Sequence, residues 1–205
     1  DTSGNYHPHG EAVIYPTLVR MAQEWNMRQV LIDKQGNFGN PYTGDPAAAV
    51  RYIETRLSSL AKATLFNPDL TEFVPSYDGR NQEPVVLPAK LPLVLLHGAE
   101  GIAVGMSTRI LPHNFCELLE AQIAHLQGKS YELLPDFALG GIMDASTYDK
   151  GRGKVRLRAK LNVMDDKTIA IEEICYGTTT ESVMRSIEEA AKRGKLKIES
   201  IHDYT

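Results

Sequence analysis

The chain of 205 residues is long enough for one large domain or two small ones, and 42% hydrophobic content is ordinary for a folded protein and argues against disorder. No apolar run approaches the roughly 20 residues a membrane span needs, and no charged, apolar and small-residue leader opens the chain, so the expected compartment is the cytoplasm. The net charge of −4 argues against a protein that coats DNA through its whole surface, so any nucleic-acid site has to be local.

Near the start, His7 and His9 form a His-x-His pair. Alternation in an extended segment sends the two rings to opposite faces, and no neighbouring Asp, Cys or third His completes a ligand set, so no metal site is expected there. Val13, Leu18, Met21, Ala22 and Trp25 then recur at helical spacing, which predicts a helix over 12–25 despite Pro16 in its first turn. Met27 to Asp33 reads as a short strand, and Lys34 to Gly44 as a glycine-rich turn. Asp45 is a good N-cap and Pro46 a good first residue, so a helix is predicted from there to about Leu65. On it Val50, Ile53, Leu57 and Leu60 form one apolar stripe, and Tyr52 lies roughly 130° away, beside Arg56 and Ser59. An exposed phenol next to the Arg51 guanidinium is suited to attack on phosphorus, because the arginine neutralises phosphate charge and the tyrosyl oxygen forms a covalent ester.

Pro84 to Leu96 alternates short extended runs with prolines before a loop over His97-Gly98-Ala99-Glu100-Gly101. Asn114 with Glu117 resembles a capping arrangement for a helix to about Gln127. From about residue 129 the pattern changes. Val155, Leu157, Ala159, Leu161 and Val163 alternate with charged residues as in a half-buried strand, and Asp165-Asp166-Lys167 turns the chain into Ile169 to Ile174, a hairpin. Thr178 and Glu181 have capping-box spacing before a helix that Gly194 ends, so this part is α+β, with a helix laid on a sheet. Cys116 and Cys175 match no ligand spacing and read as reduced thiols.

Three stretches resemble one known family. They are Tyr6-His7-Pro8-His9-Gly10-Glu11-Ala12 through Val19-Arg20-Met21-Ala22-Gln23, then Gln35-Gly36-Asn37-Phe38-Gly39 leading to Ala47-Ala48-Ala49-Val50-Arg51-Tyr52, and Gly101-Ile102-Ala103-Val104-Gly105-Met106 with Pro112-His113-Asn114. In this order they resemble the breakage-reunion subunit of bacterial type IIA DNA topoisomerases, the A subunit of gyrase and its topoisomerase IV counterpart. Gly151-Arg152-Gly153-Lys154-Val155 and Ile171-Glu172-Glu173-Ile174-Cys175-Tyr176 look like that subunit's tower region, although proline is usual before the tyrosine.

The resemblance implies an α+β fold: a winged-helix (CAP-like) DNA-binding domain over 1–128 lacking its N-terminal part, followed by part of an α/β tower domain over 129–205. With no initial Met and an end at Asp203-Tyr204-Thr205 in a strand-like stretch, the chain reads as a fragment that begins inside the helix-turn-helix, just before the recognition-type helix. That helix normally sits against the major groove, and Arg20 is its best-placed phosphate contact. By the same resemblance Tyr52 is the nucleophile that becomes joined to a DNA 5′-phosphate, Arg51 stabilises the transition state, and His9 assists by hydrogen bonding or proton transfer. His7 contacts DNA, and Ile102 is the wedge pushed between base pairs, against the plain reading of a core strand isoleucine. Glu100 stands where small hydroxyl residues are usual, and His97 where asparagine is common.

The expected partners are double-stranded DNA, a second copy of the same chain and an ATPase/TOPRIM (B-type) subunit, in an A2B2 assembly. Catalytic Mg²⁺ and ATP are expected on the B-type partner, with no cofactor or metal on this chain, which is therefore expected to be inactive alone. At the family's fluoroquinolone-anchoring serine and acidic positions stand Ala12 and Pro16. Two other classes of function compete with this reading: a nucleotide-binding enzyme with a phosphate loop over Leu93 to Gly101, whose glycines do not fit G-x-G-x-x-G, and a catalytically dead DNA-binding scaffold, against which Arg51, Tyr52 and His9 speak.

Overall fold

The computed structural model describes residues 1–41 and 45–204, so Gly44, the end of the expected turn, and Thr205 lie outside the described residues. The architecture is α+β, with short helices and two-stranded antiparallel ladders. The chain divides into two compact units, Asp1–Tyr131 and Glu132–Thr205.

In the first unit a short helix α1 (Thr2–Asn5) leads through a turn at Pro8 into α2 (Glu11–Met21). α2 ends before Trp25, which stands in the following turn with Lys34 Nζ 5.3 Å from its ring centroid. Pro16 lies inside α2, where it has no N–H to donate to the carbonyl of Ala12 one turn back, and Ala12 lies on the exposed side of the helix. Val19 and Ala22 of this region are buried against Ile32 and Phe38, with Tyr15, Leu18, Ala47 and Ile53 packed around them. The core thus joins α2 to strand β1 (Ile32–Gln35), which begins later than the expected Met27–Asp33 strand, and to the glycine-rich loop after it.

The helix expected from Asp45 to Leu65 does not form. Its backbone groups are taken by distant partners: Ala48 N donates to the Asn37 carbonyl (3.0 Å), Asn40 N to the Asp45 carbonyl (3.1 Å), and the Tyr15 hydroxyl to the Ala48 carbonyl. A single 3-10 turn, Val50–Tyr52, is followed by strand β2 (Glu54–Leu57), antiparallel to β1 from Gln35↔Glu54 to Ile32↔Leu57. Helix α3 (Ser59–Leu65) starts only where the Ser58 hydroxyl accepts from Ala61 N (3.1 Å). The apolar stripe therefore has no common face: Val50 is 63% exposed while Ile53 packs on the core.

A small hairpin, β3 (Phe73–Pro75) with β4 (Gln82–Pro84), precedes α4 (Leu93–His97), a helix where extended chain is expected. The segment expected as a loop over His97–Gly101 instead starts strand β5 (Ala99–Ala103), which pairs with β6 (Met106–Ile110). The root of this hairpin is tight: Gly98 has φ +74°, and a Cβ there would meet the Ile110 carbonyl oxygen at 2.7 Å. Helix α5 (Phe115–Leu126) follows, its start capped by Asn114 Oδ1, which accepts from Cys116 N (2.9 Å) and Glu117 N (3.3 Å).

In the second unit the single strand expected over Val155–Val163 breaks at Ala159. β8 (Lys154–Arg158) pairs with β7 (Ile142–Thr147), whereas β9 (Lys160–Val163) pairs with β10 (Ile169–Glu173), so the strands make two separate ladders rather than one sheet beneath a helix. Alternating burial holds in β8 and not in β9, which is exposed throughout. Helix α6 (Thr180–Lys192) is capped one residue later than the spacing suggests: Thr179 Oγ1 accepts from Ser182 N (3.1 Å) and Ser182 Oγ from Thr179 N (3.0 Å). Thr178 is engaged elsewhere, its hydroxyl donating to the Cys175 carbonyl (2.6 Å). Gly194 (φ +72°) closes α6, with Lys195 N donating to the Ala190 carbonyl (2.9 Å).

Candidate active site

Tyr52 ends the 3-10 turn with 66% of its surface exposed, and the Arg51 guanidinium carbon lies 4.7 Å from the centroid of its ring. This is cation–π geometry, and it holds a positive charge against the phenol. Exposure of Tyr52 does not come from the polar face of a helix. Arg56, expected beside it, is on β2 and pairs with Asp33 of β1 (Nε to Oδ2, 3.2 Å).

The loop Gln35–Gly39 builds this display. Gly36 has φ +105°, and a Cβ there would lie 2.8 Å from the Tyr52 carbonyl oxygen and 3.2 Å from Ile53 Cγ2, so only glycine lets the two segments approach. Phe38 anchors the loop in the core at 2% exposure, and Gln23 Nε2 of the post-α2 turn donates to its carbonyl (2.7 Å). Gly39 (φ +94°) likewise gives way to the Asp45 carbonyl, at 2.9 Å from its ideal Cβ. Ile53 is tucked inward, so the turn before it pushes Tyr52 and Arg51 outward. Sequence reasoning does not single out Tyr15 or Gln23. Tyr15 holds a carbonyl 33 residues away, a pairing with no local signal.

His7 and His9 do not face apart. A hydrogen bond from His9 N to the His7 carbonyl (2.7 Å) turns the chain at Pro8, and the two exposed rings stack with centroids 4.2 Å apart and planes 11° apart. Among the described residues no hydrogen bond or ring contact links this pair to Arg51 or Tyr52. Arg20 is exposed in the last turn of α2 and, with Pro16, Gln23 and Ala47, lines an open cavity of about 420 Å³. Ala12 and Pro16 are both exposed on α2, one turn apart.

Ile102 is not a core residue: it stands on β5 at 86% exposure, near the tip of a hairpin whose root is held from below. There His113 is buried and its Nδ1 donates to the Leu95 carbonyl (2.8 Å), while Asn114 caps α5. Both ring nitrogens of His97 are buried without a hydrogen-bond partner, and burial holds its pKa below the ordinary histidine value. Leu93 to Gly101 runs helix, turn, strand, which is not the strand–loop–helix order of a phosphate cradle.

The family model for the A subunits of DNA gyrase and topoisomerase IV matches residues 1–205. The chain belongs to that family. The A subunit of DNA topoisomerase 4 from Borreliella burgdorferi is 52% identical over 200 residues, 98% of this chain and 31% of that relative. The A subunit of DNA gyrase from Chlamydia muridarum is 48% identical over 209 residues, covering 92% of this chain and 25% of the relative, and that of Mycobacterium bovis 43% over 227 residues, covering 99% and 27%. The chain thus spans about a quarter to a third of the length of these A-type subunits.

Among the described residues no three or more His, Cys, Asp or Glu side chains are grouped so as to hold a metal ion. No described helix is long and apolar enough to cross a membrane.

Proposed function

We propose that this chain carries the strand-breaking tyrosine of the A-type component of a type IIA topoisomerase. The observation that carries the proposal is the exposed Tyr52 phenol with Arg51 stacked on its ring, presented by a glycine loop in a member of this family. Tyr52 Oη attacks a backbone phosphorus of duplex DNA, the P–O3′ bond breaks, the phenolic proton leaves the nucleophile, and the 3′ oxygen departs as a hydroxyl. One phosphoester replaces another, so resealing is the reverse attack by the 3′-hydroxyl and needs no energy input. Arg51 offsets the charge that builds on the phosphoryl oxygens. His9, in the stacked pair with His7, serves as a hydrogen-bonding or proton-transfer group near the DNA, and Arg20 contacts phosphate.

In this reading residues 1–128 are most of a winged-helix domain, with α2 as the groove-facing helix and β5–β6 as a wing whose Ile102 wedges between base pairs; 129–205 are part of a tower domain. A B-type ATPase/TOPRIM partner supplies the Mg²⁺ and ATP sites, two copies of each subunit make the working cytoplasmic enzyme, and ATP drives changes in DNA topology. Exposure of Ala12 and Pro16 supports an extension: with no side-chain oxygen at either position, the Mg²⁺-water anchor of fluoroquinolones is missing.

The test is Tyr52→Phe in the full-length protein, reconstituted with its B-type partner. Duplex binding, which draws on many phosphate contacts, is expected to persist, while cleavage and covalent adducts disappear. Adducts that survive in this variant would sink the proposal.

A further inference from the structure

The tip of β5–β6 is apolar and protrudes, with Ile102, Val104 and Met106 all exposed. The register opposes Glu100 to Arg109 and Ile102 to Ser107. Opposed residues share a face of an antiparallel pair, as do residues two apart along a strand, so Glu100, Ile102, Ser107 and Arg109 lie on one face. Arg109 Nε is 3.8 Å from Glu100 Oε2, and both side chains are mostly exposed. An ion pair of that length and exposure contributes little and opens readily to a competing anion.

These two are the hairpin's charged side chains. Paired, they leave it neutral; opened, they offer a guanidinium next to an apolar wedge. An apolar protein surface gains nothing from that opening, whereas duplex DNA gains a cation at the step the wedge unstacks, the combination that wedge-inserting DNA binders use. We propose that Arg109 is a DNA-contacting residue flanking the Ile102 wedge, and that Glu100 is its intramolecular competitor, exchanged for a phosphate when DNA docks. This rests on the DNA-cleavage reading and adds to it a contact and a brake.

The experiment measures binding of the full-length protein, reconstituted with its B-type partner, to a linear duplex over a series of salt concentrations. Arg109→Ala is expected to make the slope of log affinity against log salt shallower by about one, the loss of a single phosphate contact, while Arg109→Lys keeps it. Glu100→Gln is expected to raise affinity several-fold at low salt, and that gain is expected to vanish when Arg109→Ala is also present. An unchanged slope in Arg109→Ala would overturn the inference while leaving the cleavage reading intact. So would a Glu100→Gln gain that persists without Arg109, which would assign it to general charge repulsion. Failure of the wild-type assembly to bind or cleave duplex DNA would overturn the cleavage reading and this inference with it.

Discussion

The Tyr52 segment and helix α6 are built in opposite ways. α6 is specified by its own neighbours: Thr179 and Ser182 cap one end, Gly194 closes the other, and an amphipathic pattern runs between them. The Tyr52 segment has good local helix signals in Asp45, Pro46 and three alanines, yet its amides and carbonyls bind Asn37, Asn40 and Tyr15 instead. Capping and propensity decide a segment only when no distant group competes for its backbone. The segment that leaves Tyr52 exposed is held by long-range contacts, and the residues that complete α6 are held by short-range ones.

The largest effect that would sharpen this contrast is at Arg51. Arg51→Ala is expected to slow single-turnover cleavage by about 10², the scale for removing one preorganised charge stabiliser. Unchanged rates would mean that the stacked guanidinium belongs to the turn and not to the chemistry. Gly36→Ala acts on the scaffold: it forces a Cβ against the Tyr52 carbonyl in a left-handed conformation, at a cost of about 1–3 kcal/mol. Hydrogen exchange should accelerate across 45–57 and stay unchanged across 180–192. Uniform acceleration of both segments would break the distinction between them.

Of comparable or smaller size is the drug effect. Ala12→Ser with Pro16→Asp restores oxygens on the exposed face of α2, and each anchoring hydrogen bond contributes roughly 0.5–1.5 kcal/mol. Fluoroquinolone-stabilised cleavage is expected to require about tenfold less drug in the double variant at matched Mg²⁺, since about 1.4 kcal/mol is a factor of ten. Wild type responding at ordinary drug levels, or a double variant that gains nothing, would refute the missing anchor. The smallest effect is at the local end of the comparison: Thr179→Ala removes one cap, a loss of about 1 kcal/mol, and should speed exchange in α6 about fivefold without touching 45–57.

Legibility in the sequence follows the same division. The α5 start at Asn114, the turn at Asp165 (Lys167 N to Asp165 Oδ1, 2.8 Å) and the closure of α6 at Gly194 are readable because each is a local hydrogen-bonding or φ requirement. The strand β2, the break at Ala159 and the helix α4 are not, because pairing partners and packing decide them. At the site, Arg51 and Tyr52 are legible as a chemical pair and their exposure is expected, but for the wrong reason. The His7–His9 stack escapes because alternation assumes an extended chain and Pro8 turns it. Ile102 reads as core by composition alone and as an exposed residue by the family resemblance, and its 86% exposure on β5 agrees with the second.

The role of Tyr52 is tested most directly by trapping the cleavage complex of the full-length protein with its B-type partner, digesting both protein and DNA, and locating the residue that retains a nucleotide. A single phosphotyrosyl peptide containing Tyr52, attached through a 5′-phosphate, is expected. A nucleotide on any other residue, or attachment through a 3′-phosphate, would contradict it.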